Sequence, residues 1–318
     1  MKRTLFLLLL FVLSLTTCAS PNPTNEIFTD SQTDTAPENQ NINENILIDG
    51  LKVLDESTII TSFIITQNDT IVFEKYYNGS DKTQSTNIQS VTKSVISALI
   101  GIAIRESYIK GTDQKLSEFF PADFPREDDA LKNDLTLRHL LTMSAGFYWE
   151  SDEPMYRRDP IGAILSQPLV TEPGKSFHYN SGLPHIISIL IAQESGMSTR
   201  EFAEQYLFDP LDISLTQWKV VNSDHNGCCE LWLTSRDLVK IGQLYLHQGE
   251  WNGEQIIPKD WVLESTQFHI ETDDKKGYGY YWWLTTISGH DIISALGWGG
   301  QFIHVIPDLN LVIVGTKN

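Results

Sequence analysis

The order of the predicted elements, with strands first, helices in the middle and strands again at the end, predicts an α+β fold. β-Branched and aromatic runs lie at both ends of the folded part, and the middle, about residues 111 to 250, is mostly helical. This order makes the helical part an insertion beside one sheet. A functional site is expected where the two parts meet.

Two strand-like runs begin the folded part, Ile59 to Ile65 and Thr70 to Tyr77, and Gln67-Asn68-Asp69 between them indicates a hairpin turn. Five later segments have apolar residues near helical spacing and Gly or Pro at their edges. They are Thr136 to Met143, Pro160 to Leu165, Pro184 to Glu194, Arg200 to Phe208 and Ser235 to His247. The final strand-like runs are Tyr278 to Thr286, Ile292 to Leu296, Gln301 to Pro307 and Asn310 to Thr316.

The motif Ser90-Val91-Thr92-Lys93 opens a long apolar helical stretch, Ser90 to Arg105. Residues three apart share a helix face with Cβ atoms about 5–6 Å apart, so the Lys93 amine can reach the Ser90 hydroxyl. A serine nucleophile needs such a base. Burial is expected to lower the pKa of Lys93, and the helix N-terminus favours negative charge on a bound carbonyl oxygen. The motif thus indicates a catalytic serine.

The ordinary alternative is that Ser90 is only a helix N-cap and Lys93 a solvated residue of the first turn. A second copy of the pattern, Ser107-Tyr108-Ile109-Lys110, lies where the helix ends and a turn begins, and we interpret it as chance. The motif by itself leaves the two interpretations of Ser90 open.

Two further segments carry candidate site residues. Phe177-His178-Tyr179-Asn180-Ser181-Gly182 places Tyr179 in a loop, where its phenol can pass the serine proton to the leaving group; the alternative is a packed loop aromatic. Gly297-Trp298-Gly299-Gly300-Gln301 lies between two strands, so a substrate can approach its backbone and an N–H group can bind an oxyanion. Its alternative is a β-bulge or tight turn.

In this order and at these positions, the three segments resemble the serine β-lactamase and penicillin-recognising superfamily over nearly all of residues 46 to 318. The segments that look like the family's helical landmarks are Leu135 to Gly146, Asp237-Leu238 through Trp251-Asn252-Gly253, and Ile256-Ile257-Pro258. The nearest branch is similar to family VIII esterases and 6-aminohexanoate-dimer hydrolases. The resemblance implies an antiparallel sheet flanked by helices, with a mostly helical inserted subdomain, and no cofactor or metal.

The resemblance also implies roles for individual residues. Ser90 would be the nucleophile, and Lys93 with Tyr179 the acid/base pair. Ser90 and Gln301 would supply oxyanion N–H groups, with Gly300 as the near alternative.

Three departures from the family pattern concern the substrate and the chain end. Family members that act on β-lactams have Lys or His where Trp298 lies, so the receptor for a substrate carboxylate is missing here. Trp298 and Ser181 remain substrate-binding candidates, although Tyr-Asn-Ser displaces by one residue the amide that would contact a β-lactam side chain. The chain ends at Asn318, where the family usually adds a packing helix, which leaves a C-terminal truncation open.

We therefore predict a serine hydrolase that forms an acyl-serine on esters or small amides. Two alternatives stay open: a catalytically weak penicillin-binding-like module that recognises peptidoglycan fragments, and a β-lactamase or D-Ala-D-Ala carboxypeptidase. A Ser-His-Asp hydrolase is disfavoured because no Gly-x-Ser-x-Gly occurs, and a zinc hydrolase because no His-Glu-x-x-His occurs.

The first 18 residues predict an export signal. Two basic residues precede an apolar run from Leu5 to Leu15 that is too short to span a membrane. The tail Thr16-Thr17-Cys18 resembles a bacterial lipoprotein signal with Cys18 as the lipidated residue, and residues 19 to 45 form a polar tether of about 30 Å. We expect an exported lipoprotein, membrane-anchored on the periplasmic or cell-surface side. The alternative is a plain cleaved signal.

Charge and cysteines restrict the partners further. The formal net charge of −18, from 23 basic and 41 acidic residues, disfavours nucleic acid because phosphate binding needs basic patches. Cys228 and Cys229 are adjacent, and because a bridge between neighbours is strained, two reduced, buried thiols are expected. No zinc-ligand spacing occurs.

Overall fold

The structure is a computed structural model that describes residues 58–127 and 129–317. The predicted signal peptide and tether, residues 1 to 45, lie outside the described residues. The helices are α1 Val91–Arg105, α2 Leu116–Phe119, α3 Leu137–Leu141, α4 Pro160–Leu165, α5 Gly182–Ser195, α6 Thr199–Ala203, α7 Ser235–Leu246 and α8 Lys259–Ser265. Single turns of 3-10 or π helix occupy Pro121–Asp123, Ala130–Asp134, Glu153–Tyr156, Glu204–Phe208 and Pro307–Leu309.

Fifteen strands are present in the described part of the chain. They are β1 Ile60–Gln67, β2 Thr70–Tyr76, β3 Ser85–Asn87, β4 Gln217–Trp218, β5 Val220–Val221, β6 Asp224–His225, β7 Leu231–Thr234, β8 Glu250–Trp251, β9 Glu254–Gln255, β10 Ile270–Glu271, β11 Gly277–Tyr278, β12 Trp283–Ile287, β13 His290–Gly297, β14 Gln301–Ile306 and β15 Leu311–Lys317.

One eight-stranded antiparallel sheet joins the two ends of the chain, in the order β10-β11-β12-β13-β14-β15-β1-β2. The predicted first hairpin is confirmed: Gln67 pairs with Thr70, and Asn68 and Asp69 both have positive φ. Asn and Asp tolerate that left-handed conformation, which suits a two-residue hairpin turn. A small sheet, β3-β7-β4, lies outside the large one and leads into α1.

Side-chain alternation gives the large sheet two different faces. On one face, Val312 and Ile303 pack so tightly on α7 that a Cβ added to Gly242 would lie 2.5 and 2.9 Å from their methyl groups. On the opposite face, Ile313 and Phe302 belong to a separate apolar cluster. The helices that carry the site therefore cover only the first face.

Helix α1 is the buried centre of the molecule. Its residues from Val91 to Ala103 are all buried, the polar Thr92, Lys93, Ser94 and Ser97 included. It contacts α5 of the helical part, α8, and β13 of the sheet. Trp261 of α8 lies against α1 at Gly101, where a Cβ would be 2.3 Å from the indole.

The α+β prediction is confirmed, but one predicted strand is wrong. Tyr278 to Thr286 is split into β11 and β12, because the chain turns between them: Tyr281 has φ 63 and the N–H of Tyr280 donates to the Ser265 carbonyl. Aromatic residues usually indicate strands, but here they fill the core within a turn. None of the described helices is long and apolar enough to cross a membrane.

Candidate active site

A tight turn between β3 and α1 presents Ser90. The Asn87 side chain accepts the N–H of Gln89 at 2.9 Å, and Gln89 has φ 51, in the left-handed region. The Thr92 hydroxyl then donates to the Gln89 carbonyl at 2.7 Å. These contacts hold Ser90 just before the first residue of α1, so the helix begins at Val91, one residue later than predicted.

The Ser90 hydroxyl does not cap the helix. It makes no side-chain capping bond; instead, Lys93 Nζ donates to its Oγ at 2.9 Å. The N-cap alternative is therefore not what the structure contains. Within the described residues, the N–H of Ser90 has no hydrogen-bond acceptor, so it is available to a ligand.

Lys93 is only 2% exposed and makes a second hydrogen bond, to the backbone carbonyl of Cys228 at 2.9 Å. Its Nζ lies 5.0 Å from the centre of the Tyr179 ring. Burial acts to lower the pKa of Lys93, but the electrostatic interactions of its amine with the Tyr179 and Cys228 side chains outweigh that effect and raise its pKa above the ordinary value. The sequence-based expectation of a lowered pKa is therefore wrong, because these partners accompany the burial.

Tyr179 is a packed loop aromatic and a neighbour of Lys93 at once. Its ring stacks on Trp283, with centroids 6.2 Å apart and planes at 25°, and also contacts Phe177. It remains 39% exposed, so the phenol faces both the lysine and solvent. The structure thus brings together Ser90, Lys93 and Tyr179, although Tyr179 lies 89 residues after Ser90 in the sequence.

The next two residues after Tyr179, Asn180 and Ser181, differ in their surroundings. Asn180 is buried, and its Oδ1 accepts the N–H of Gly182 at 2.7 Å, so this amide organises the start of α5. Ser181 is the N-cap residue of α5, half-buried, and makes no side-chain capping bond. Ser181 therefore remains a candidate for substrate contact, whereas the side-chain oxygen of Asn180 is already hydrogen-bonded to the Gly182 N–H.

The glycine segment forms the tip of the β13–β14 hairpin, as its turn alternative predicted. Trp298 is 82% exposed, and the N–H of Gly300 donates to the Gly297 carbonyl. Gly297 approaches the turn before Ser90 so closely that an added Cβ would lie 2.6 Å from the Ile88 carbonyl oxygen. The hairpin tip therefore lies directly against the segment that presents the serine.

The Gln301 side chain is engaged by the last strand. Its amide donates to the Lys317 carbonyl at 2.9 Å and accepts the Lys317 N–H at 2.7 Å. Only the backbone of Gln301 can therefore serve as the predicted oxyanion donor. The other predicted donor position, Gly300, has φ 101, a conformation that favours glycine.

A lysine lies near this hairpin, but on the wrong face for the missing cation. A Cβ on Gly300 would lie 2.6 Å from Lys317 Nζ, and burial lowers the pKa of Lys317. Alternation along β15 places Lys317 on the same face as Ile313, which is the face turned away from α1. It therefore does not replace the family cation at Trp298.

The second Ser-x-x-Lys pattern is confirmed as chance. Ser107 has φ 64 beyond the end of α1, and Lys110 pairs with Glu118 on the surface. Sequence reasoning missed Cys228, whose carbonyl binds Lys93, because no side-chain pattern reports a backbone acceptor. It also missed Trp283, for which the density of aromatic residues after Tyr278 was a signal.

The two cysteines differ from the expectation in one respect. Both are free thiols, Cys228 buried as predicted and Cys229 only half-buried. No group of three or more His, Cys, Asp or Glu side chains among the described residues is placed to hold a metal ion.

Comparisons with known proteins agree with this architecture. The β-lactamase family matches residues 61–318. The 6-aminohexanoate-dimer hydrolase of Paenarthrobacter ureafaciens is 22% identical over 291 residues, covering 81% of this chain and 72% of that protein.

Two solved structures share the fold. The octameric penicillin-binding protein homologue from Pyrococcus abyssi has a TM-score of 0.71 at 17% sequence identity. The aligned region covers 86% of this chain and 72% of the homologue's chain. EstCE1, a hydrolase with promiscuous acyltransferase activity, has a TM-score of 0.70 at 14% sequence identity. The aligned region covers 84% of this chain and 91% of the EstCE1 chain. Since the family match extends over most of the sequence and the sheet, helical insertion and Ser-x-x-Lys helix all agree with it, this chain belongs to the β-lactamase family.

Proposed function

We propose that this protein is a serine hydrolase that acts on esters or small amides through an acyl intermediate on Ser90. The observation that carries the proposal is the contact of Lys93 with both the Ser90 hydroxyl and the Tyr179 ring at a solvent-accessible site. A serine next to a base that a third group orients is the arrangement of an activated nucleophile. The similarity to the 6-aminohexanoate-dimer hydrolase and to EstCE1, which is described as a hydrolase, supports hydrolysis as the reaction class.

In acylation, the Lys93–Tyr179 pair takes the proton of the Ser90 hydroxyl as its oxygen attacks the substrate carbonyl carbon. The carbonyl oxygen, now negative, accepts hydrogen bonds from the free N–H of Ser90 and from the backbone of Gln301. The pair then gives the proton to the leaving alcohol or amine. Water, activated by the same pair, hydrolyses the acyl-serine and restores the hydroxyl.

The substrate surface favours neutral acyl groups. Trp298 lies exposed where related enzymes have a cation, and Trp283 with Tyr179 forms an aromatic surface beside the nucleophile. A substrate carboxylate would lose a charge-assisted hydrogen bond worth about 1.5–3 kcal/mol. We therefore propose neutral esters and small amides as the substrate class, ahead of β-lactams and D-Ala-D-Ala peptides.

The test is covalent labelling of Ser90 by a fluorophosphonate, together with turnover of p-nitrophenyl esters and of the cephalosporin nitrocefin. Ser90→Ala should abolish labelling and ester turnover with unchanged unfolding temperature, whereas Ser107→Ala, in the exposed second copy of the motif, should retain both. Neutral esters should be turned over faster than nitrocefin. Turnover retained by Ser90→Ala would refute the mechanism, and absence of labelling in the wild type would favour the binding module.

We further propose that the protein is exported and anchored through lipidated Cys18. Support comes from the leader, with its short apolar run from Leu5 to Leu15 and the polar residues 19 to 45 that follow the cysteine. A membrane anchor with such a tether would keep the hydrolase near the surface while leaving its site open to soluble substrates.

A further inference from the structure

Two adjacent thiols lie beside the catalytic lysine. Cys228 and Cys229 are in the loop between β6 and β7, with their Sγ atoms 2.6 Å apart. The Asn226 side chain fixes this loop: its Oδ1 accepts the Cys228 N–H at 3.0 Å, and its Nδ2 donates to Cys229 Sγ at 3.3 Å. The two sulfur atoms are thus held on the same side of the backbone, facing each other.

The same loop is part of the proposed catalytic site. The carbonyl of Cys228 accepts a hydrogen bond from Lys93 Nζ at 2.9 Å. That carbonyl belongs to the peptide bond between Cys228 and Cys229. A disulfide between the two side chains would close a small ring that contains this peptide bond, so ring closure necessarily acts on the acceptor of Lys93.

We propose that Cys228 and Cys229 form a reversible vicinal disulfide that switches the hydrolase off by displacing the carbonyl that positions Lys93. The proposal rests on the serine-hydrolase function proposed above and assigns it a redox control. The oxidant class is a small-molecule disulfide such as oxidised glutathione.

The chemistry balances as two thiol–disulfide exchanges. The Cys229 thiolate attacks one sulfur of the oxidant, which releases one thiol and forms a mixed disulfide. The Cys228 thiolate then attacks Cys229 Sγ and releases the second thiol. Two protein thiols and one external disulfide become one protein disulfide and two external thiols, and the two protons of the protein thiols pass to the leaving thiolates.

The two thiols are suited to these different roles. The hydrogen bond from Cys228 lowers the pKa of Cys229, which is half-buried and reachable by a small disulfide. The same hydrogen bond, together with burial, raises the pKa of Cys228. The half-buried, more acidic Cys229 thiol reacts first, and the buried Cys228 thiol resolves the mixed disulfide because it is already in contact.

Ring closure should affect catalysis through geometry. A planar peptide bond inside a small ring cannot keep both its orientation and the sulfur–sulfur bond without rotation of the flanking backbone. The Cys228 carbonyl then turns away from Lys93, and the lysine amine keeps only its hydrogen bond to the Ser90 hydroxyl. A displacement of about 1 Å in a catalytic group can cost on the order of 100-fold in rate.

The test measures ring closure and activity separately in the full chain. The protein is incubated with oxidised glutathione and digested with trypsin. The mass of the peptide of residues 220 to 236, which contains both cysteines, is then measured by mass spectrometry. We expect the mass of two hydrogens to be lost, the rate of fluorophosphonate labelling at Ser90 to fall at least about tenfold, and dithiothreitol to restore both. Cys229→Ser keeps the Cys228 carbonyl and an acceptor for Asn226, and its labelling rate should not respond to the oxidant.

Three outcomes would overturn the proposal: a stable mixed disulfide without ring closure, ring closure with an unchanged labelling rate, or equal inhibition of Cys229→Ser. An unfolding temperature measured on the oxidised protein separates a displaced carbonyl from general loss of structure, which would also count against the switch. Failure of labelling in the reduced protein overturns the serine-hydrolase function itself, and the peptide mass still reports ring closure independently.

Discussion

At the residue scale, the proposed site has Lys93 Nζ 5.0 Å from the centre of the Tyr179 ring and hydrogen-bonded to the Ser90 hydroxyl. Lys93 is buried, but its electrostatic interaction with the Tyr179 side chain opposes the effect of burial, and the lysine pKa is raised. An ammonium that donates to Ser90 Oγ cannot accept its proton until it passes its own proton on. In the proposed mechanism the lysine and the phenol therefore act as one unit in taking the serine proton.

This coupling predicts non-additive losses. Lys93→Ala and Tyr179→Phe should each lower the rate of Ser90 acylation by roughly 100- to 10,000-fold, as for general acid–base groups. The double variant should fall little further, because both residues serve a single step. Single-turnover acylation of the two single variants and the double variant measures this. Near-normal acylation in Tyr179→Phe would leave the tyrosine only its packing role against Trp283.

At the element scale, the β13–β14 hairpin and the turn before α1 pack with their backbones in direct contact. Gly297 is where they meet, and its neighbour is the Ile88 carbonyl oxygen, which has no flexible side chain to move aside. The hairpin can therefore lie this close to Ser90 only because residue 297 is glycine and carries no side-chain methyl group.

We expect Gly297→Ala to separate the hairpin from Ser90 and to slow acylation at least about tenfold, since a displaced donor costs transition-state binding. Gly289→Ala, at the opposite end of β13, is the matched control because nothing lies within 4 Å of its added Cβ. It should cost about 1–2 kcal/mol of backbone strain at most, with little change in the acylation rate. Equal acylation rates for Gly297→Ala and wild type would show that the contact does not set the site.

A second element-scale feature is the cross-strand pair of Ser294 on β13 and His304 on β14. Their side chains are hydrogen-bonded at 2.7 Å in the core, and burial lowers the pKa of His304 to about 3. Between that value and the ordinary histidine pKa of about 6.5, the unfolded chain binds one proton that the folded chain does not. The free energy of unfolding therefore falls as the pH drops through this range.

His304→Gln keeps a hydrogen-bond partner for Ser294 but removes the titrating group. The free energy of unfolding, measured by urea denaturation between pH 6 and pH 4, should fall less steeply with acid in this variant. The slopes of wild type and variant should differ by up to about 1.4 kcal/mol per pH unit, which corresponds to the uptake of one proton on unfolding. An unchanged slope would mean that folding does not lower the pKa of His304.

At the scale of the whole molecule, the site lies where the helical insertion meets the sheet. Helix α1 contacts α5 of the insertion on one side and β13 on the other, so its first turn receives Tyr179 from the insertion and the hairpin tip from the sheet. The proposed site is therefore complete only when both parts of the fold are assembled.

The proposed anchor makes a prediction at this scale. Cys18→Ser should move the protein from the membrane fraction to the soluble fraction after cell fractionation, because lipidation at this residue would be lost. Fluorophosphonate labelling of Ser90 should be equal in both forms, which serves as the control for folding. Unchanged partitioning would refute the lipid anchor and favour the plain cleaved signal.

The sequence by itself determined the features that depend on neighbours along the chain. The Asn68-Asp69 turn follows from residues that tolerate positive φ, and the Ser90–Lys93 contact follows from helical spacing. The α+β order could be read because each element is long enough to show its own periodicity.

Only the tertiary structure decided what surrounds Lys93. The Cys228 carbonyl is 135 residues away along the chain, and a backbone oxygen leaves no trace in the side-chain pattern. The direction of the lysine pKa shift also depended on that environment: burial, which the sequence indicated, lowers it, whereas charges brought close by folding raise it. Local rules fix spacing within an element, but the balance between desolvation and charge is set by groups that meet only when the chain is folded.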